Sequence, residues 1–300
     1  MATQKNGNFP TVCVTKSLTV YPKSFHPQQI LTLSNLDRQC PLLMYLVFFY
    51  KPSSVHQNLS LDLVFSRLKS GLEETLSVWY PAAGRLSLNP HDGKLNLWCN
   101  NKGAILVEAV TQVKISELGD LSQYNEFLES LVYKPLFSGN FAEMPLAVAQ
   151  VTRFGCGGYS VGVGTSHSLF DGPGSYDFLR AWASNSAIMQ DKGGIEVHKP
   201  VHERGRLGMA NSHVVKSAMA APRATAIDHL YLLIQNALGN GQNLSEMAGN
   251  VKHVTKTFHL TGAMMESFKR KVFGQGRSNF SCSPFDLVAA HLWKVGFNPD

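Results

Sequence analysis

The chain alternates between two hydrophobic periods. Val12–Val20 reads as a strand. "SNLDR" at 34–38 breaks the chain before the apolar run Leu42–Tyr50, whose length and branched, aromatic content also predict a strand, closed by Lys51-Pro52. From Leu61 to Val78 the period changes. Leu61, Phe65, Leu68, Leu72 and Leu76 recur every three or four residues behind a capping Ser60, which predicts an amphipathic helix. Tyr80-Pro81-Ala82-Ala83-Gly84 stops it. His91-Asp92-Gly93-Lys94 reads as a hairpin turn, and Ala104–Val110 as a further strand.

Pro145–Phe154 and Tyr159–Ser166 form a second hairpin about a glycine-rich turn. In its second arm Tyr159, Val161, Val163 and Thr165 share one face, and Ser160, Gly162, Gly164 and Ser166 share the other. That small face admits the close approach of another backbone or of a ligand. Gly174–Ala183 reads as a helix carrying Phe178 and Trp182.

Regularity is lost over 186–226, which reads as a linker or crossing loop. It returns as a helix near Ile227–Ala237, a strand near Val251–Leu260 and a helix from Thr261. A last helix is signalled by Ser283-Pro284-Phe285-Asp286, with Phe285, Val288, Ala289, Leu292 and Val295 as its apolar face and Gly296 as its stop. The expected organisation is therefore a mixed α/β domain over 1–185, the linker 186–226 and the start of a second, incomplete domain over 227–300.

Composition narrows the classes. The 300 residues are 44% hydrophobic and 16% charged, which is globular rather than disordered. The longest apolar run is too short for a membrane span, and the N-terminus lacks a secretory apolar region. Five scattered cysteines without a C-x-x-C pair look like reduced thiols of a cytoplasmic protein, and a monomer is expected. A net charge of +6 without a basic stripe interleaved with aromatics gives nucleic acid no support.

Three motifs invite chemistry. Gly158-Tyr159-Ser160-Val161-Gly162 fits the hydrolase elbow G-x-S-x-G, but that elbow needs a helix directly after the serine. Here strand-like residues follow, so a Ser160 hydrolase is only a minor alternative. Gly162-Val163-Gly164 has no third glycine at dinucleotide spacing. "SHSLFDG" at 166–172 places His167 and Asp171 four apart. Gly172-Pro173-Gly174 bars one helix through both, and no third ligand is near, so zinc is not expected. A histidine suits general acid–base work, and a carboxylate can orient it. Alone, such a pair is more often a satisfied loop histidine and a turn aspartate. Its position at the end of a strand with a small-residue face favours the catalytic reading.

"SHSLFDG" resembles the H-x-x-x-D-G motif of the plant BAHD acyltransferases, enzymes that use acyl-CoA. "YPAAGRL" at 80–86, "HDGKLNLWCNNKGAILVEA" at 91–109, residues 145–183 and "SPFDLVAAHLWKV" at 283–295 resemble other elements of that family. The resemblance implies two chloramphenicol-acetyltransferase-like domains with a channel between them. It implies His167 as the base and Asp171 as a loop fastener that points away from the cleft and forms a salt bridge. It also implies acyl-CoA as co-substrate with no bound cofactor or metal, and a small alcohol or amine as acceptor. Ser283 matches a family position near CoA. Lys269, Arg270, Lys271 and Arg277 are candidate phosphate donors, although a solvated helix face accounts for them equally well. The family's downstream D-F-G-W-G signature does not occur. The chain is therefore expected to be a shortened homologue, with a non-catalytic binding or regulatory role as the alternative to an enzyme.

Overall fold

The fold was analysed in a computed structural model, which describes residues 11–52, 60–121, 123, 125–136, 140–187, 198–202, 258–273 and 282–297. The chain divides into two compact units, Met1–Val251 and Lys252–Asp300.

The first unit is built on two sheets. The larger has the order β1 (Cys13–Val20), β6 (Ala104–Val110), β7 (Ala147–Arg153), β8 (Tyr159–Ser166), β3 (Leu43–Tyr50). Only β6 and β7 run parallel, so the sheet is mixed. The smaller sheet is antiparallel, ordered β2 (Gln29–Thr32), β5 (Leu95–Cys99), β4 (Arg85–Leu88). The predicted turn at 91–94 joins β4 to β5. Strand β2 was not predicted; its four residues lack a clear alternation and are held by pairing to β5.

Helix α1 (Leu61–Val78) has the predicted bounds, and the Ser60 hydroxyl accepts from the Leu63 N–H. A four-residue α2 (Glu126–Glu129) precedes β7. Helix α3 (Gly172–Ser186) starts two residues earlier than its pattern predicts, because Asp171 caps it. Helices α1 and α3 touch closely. A Cβ at Gly71 would lie 2.1 Å from the Ser186 hydroxyl, and the Trp182 indole donates to the Leu68 carbonyl at 2.8 Å. Phe65, Leu72, Leu76, Phe178 and Trp182 share one core with Ala149, Val151 and Val163 of the large sheet.

The small-residue face of β8 receives a backbone. A Cβ at Gly162 would meet the Leu131 carbonyl oxygen at 2.1 Å, and one at Gly164 would meet Tyr45 and Val148 at 2.7 Å. Gln150, fully paired in β7, donates from its side chain to the Ser130 carbonyl at 2.9 Å and pins the same segment.

The second unit contains α4 (Gly262–Phe273) and α5 (Pro284–Phe297), which meet through an edge-on contact of Phe268 and His291. Helix α5 runs past its expected stop at Gly296. Its predicted apolar face is not a buried face: Phe285 is 78% exposed and Leu292 64%, while Leu287 is buried. Periodicity identified an apolar stripe there without specifying a partner for it. The expected helix near 227–237 and most of the expected strand near 251–260 lie outside the described residues; Phe258–Leu260 are not in a strand.

Candidate active site

Strand β8 ends in a tight turn that presents His167. The Ser166 N–H donates to the Leu146 carbonyl at 2.8 Å, and the His167 N–H donates to the Leu42 carbonyl at 2.9 Å. The Ser166 carbonyl then accepts from both Leu169 and Phe170, at 3.0 and 2.9 Å. The turn is thus fixed from the strands on either side and closed on itself. Ser166, Ser168, Leu169 and Phe170 are buried, and His167 alone among 166–170 is exposed. Phe170 packs with Trp79 and Phe178, with ring centroids 5.9 and 5.2 Å away, which anchors the turn to the helices. The His167 imidazole makes no hydrogen bond or ion pair among the described residues.

Asp171 is the N-cap of α3. Its Oδ1 accepts from the Gly174 N–H at 2.8 Å, and its carbonyl accepts from Ser175 at 2.9 Å. The expected salt bridge is not formed among the described residues; a helix N-terminus supplies the partner instead, since its first N–H groups lack intrahelical acceptors. Nor is Asp171 turned from the open space: it borders the same cavity as His167.

That cavity has a volume of about 540 Å³. Trp79, Pro81, Ala82, Asp37, Lys199 and His202 also line it. The walls are locally braced. Asp37 and Ser34 exchange hydrogen bonds, with Asp37 Oδ2 accepting from the Ser34 N–H at 3.0 Å and the Ser34 hydroxyl accepting from the Asp37 N–H at 3.2 Å. Tyr80 stacks on His26 at 3.7 Å, meets His202 edge-on at 4.7 Å and accepts from the Gln29 amide at 3.0 Å. Burial pushes the Tyr80 phenol above its ordinary pKa. The sequence signalled Pro81 and Ala82 only as a helix stop and a motif. His202, in a polar stretch, carried no signal.

Arg85, the one charged residue of "YPAAGRL", is turned inward. Only 5% exposed, it donates from Nη1 to the carbonyls of Gly84 and Gly103 at 2.7 and 2.8 Å, and from Nη2 to Lys102 at 3.3 Å. Burial lowers its pKa to about 10.

The structure brings His167 and Asp171 to one cavity. Ser283 belongs to the second unit, where it caps α5. Its hydroxyl donates to Asp286 Oδ2 at 2.7 Å and accepts from the Asp286 N–H at 3.1 Å. The hydroxyl donation, with the Ser283 N–H donating to the same oxygen at 3.0 Å, holds the Asp286 carboxyl below its ordinary pKa. Lys269 pairs with Glu266 at 3.1 Å, and Arg277 lies outside the described residues. Ser160 is fully buried in mid-sheet, opposite Phe49 and Thr152, so the geometry of a nucleophile elbow is not present.

A mixed sheet whose strand end presents an exposed histidine, in a turn spelled H-x-x-x-D-G, defines a class. The chain belongs to the BAHD acyltransferases, and the Transferase family model matches residues 11–298. Among its relatives is Brassinosteroid-related acyltransferase 1 of Arabidopsis thaliana, 53% identical over 294 residues, covering 94% of this chain and 62% of the relative. Rosmarinate synthase of Plectranthus scutellarioides is 30% identical over 288 residues, covering 94% and 60%. In fold the chain is similar to the crystal structure of vinorine synthase, with a TM-score of 0.61 at 21% identity, over 95% of this chain and 60% of that one. The chain spans about three fifths of the length of these relatives. Among the described residues no helix is long and apolar enough to cross a membrane.

Proposed function

We propose that the protein transfers an acyl group from an acyl-CoA thioester to a hydroxyl or amine of a small molecule, in the cytoplasm and as part of plant specialised metabolism. One observation carries the reading: His167 is the single exposed side chain of an otherwise buried turn, and it faces a cavity with its ring unpartnered. A free imidazole on a rigid mount is what a general base requires. Family membership and the acyltransferase names of the relatives support the same chemistry.

In the proposed reaction His167 accepts the proton of the acceptor O–H or N–H as the oxygen or nitrogen attacks the thioester carbonyl. The tetrahedral intermediate collapses, the C–S bond breaks, and the imidazolium returns its proton to the departing thiolate. Products are the ester or amide and CoA thiol, and no net proton is consumed. Asp171 acts as a positioning residue that fixes where α3 starts. Ser283 and Arg277 are proposed to contact CoA. Proton transfer of this kind supplies about 10²–10⁴ in rate, with positioning and oxyanion stabilisation supplying the rest.

The test is acceptor-dependent release of CoA thiol from a panel of acetyl, malonyl, hydroxycinnamoyl and long-chain donors. His167→Ala should lower the rate by about 10²–10⁴. Because His167 is exposed, the variant should fold. A variant that kept the wild-type rate would refute His167 as the base. Absence of thiol release with every donor would refute the enzymatic reading and favour a binding role, which association with a longer relative would then examine.

A further inference from the structure

The start of β8, opposite His167, carries a second cavity of about 470 Å³. The eight-residue strand separates its two ends by roughly 23 Å at the usual rise per residue. Here the register aligns Tyr50 of β3, Tyr159 of β8 and Arg153 of β7 in one rung. Paired residues project to the same side of a sheet, so the two phenols and the guanidinium share a face. Lys51, next after Tyr50, also lines the cavity, as do Val161, Leu68 of α1 and Ala183 of α3.

The charges of this cavity are one-sided. It is bordered by Arg153 and Lys51 and by no aspartate or glutamate. Neither cation forms an ion pair among the described residues. The Arg153 charge is felt by the Tyr159 phenol, whose pKa it lowers against the larger rise from burial. A neighbouring cavity of about 300 Å³ shares the Tyr50, Leu68, Val161 and Ala183 walls and adds Arg180. The result is a largely apolar trough bordered by cations. A neutral apolar guest would leave the cations unmatched, and a cationic one would be repelled. A carboxylate meets a guanidinium through two parallel hydrogen bonds, and an alkyl chain suits the apolar lining.

We propose that this cavity is a binding site for an apolar monocarboxylate of the medium-chain fatty acid type. Arg153 and Lys51 hold the carboxylate, and Leu68, Val161 and Ala183 hold the chain. The site is independent of the acyl-transfer reading, since it shares no residue with the His167 cavity.

Calorimetric titration of the full chain with decanoate, 1-decanol and decyltrimethylammonium tests it. Decanoate should bind and the other two should not, or far more weakly. Arg153→Gln combined with Lys51→Gln should weaken decanoate by about tenfold or more. All three side chains to be changed are exposed, so Ala183→Trp should abolish binding by filling the trough while circular dichroism and melting temperature hold. His167→Ala should bind decanoate as the wild type does. Equal binding of decanol, unchanged affinity in the double variant, or loss of binding in His167→Ala would each overturn the proposal, as would no binding of decanoate at all.

Discussion

Replacing Arg85 with methionine should destabilise the protein by about 2–3 kcal/mol, as the balance of two opposing terms. Holding the guanidinium charged in its buried position is unfavourable. The fall in pKa to about 10 corresponds to a cost of about 3 kcal/mol. Against this stand three hydrogen bonds to the carbonyls of Gly84, Gly103 and Lys102. Bonds from a charged donor contribute about 2 kcal/mol each, so they exceed the desolvation cost. Methionine fills much of the space but leaves three acceptors without their donor. Lysine, with one compact ammonium, cannot span the three carbonyls and should fall between. Urea unfolding followed by tryptophan fluorescence measures the difference, with Trp98 directly across the β4–β5 ladder from Arg85. The sign of any pH effect follows from the depressed pKa. Below about pH 10 Arg85 is charged in both folded and unfolded chains, so the deficit should be flat over pH ~6–9. Above about pH 10, up to the ordinary arginine pKa, the unfolded chain binds more protons, so wild-type stability should gain from this residue as pH rises. If Arg85→Met unfolds within about 0.5 kcal/mol of wild type, the carbonyl bonds do not outweigh desolvation and the reasoning fails.

Asp171→Ala should lower stability by about 1 kcal/mol through loss of the α3 cap, and Asp171→Asn should restore it, as read by thermal melts. Gly162→Ala should destabilise by about 1–3 kcal/mol, because its Cβ would press on the Leu131 carbonyl; urea titration measures this. Ser160→Ala should be neutral or slightly stabilising, since the buried hydroxyl has no partner among the described residues, and it should leave thiol release unchanged. Loss of activity in that variant would revive the nucleophile that the fold argues against.

Legibility followed from where the stabilising interactions lie along the chain. Helix α1 was readable to the residue because its cap and its apolar stripe are both local. Strand β6 was readable as a short apolar run after Gly103, and β8 from its alternation, because both signals are local too. Strand β2 was not, since its pairing to β5 is a long-range fact that four residues do not encode. The stripe on α5 was visible, but burial is a property of a stripe and its partner together. At the site, the H-x-x-x-D spacing located His167 and Asp171 without separating their surroundings. One ends a strand and faces open space; the other begins a helix and is occupied by its N–H groups. His202 and Lys199 reach the cavity from a segment without periodicity, so no local pattern could have placed them there.

Strand β8 shows why local reading stops where it does. Its alternation predicted two faces, one small and one branched, and left open whether the small face would meet a backbone or a ligand. The Leu131 carbonyl occupies it at Gly162, so that face is structural. The branched face is covered by α1 and α3 around Val163 but opens again at Tyr159 and Val161, where the neighbouring rung places Arg153. Both openings, at His167 and at Arg153, therefore lie at the strand's ends. There the ladder still fixes the backbone, while the helices no longer cover the side chains. A site on such an end combines rigidity with access, and neither property is visible in the alternation that builds the strand.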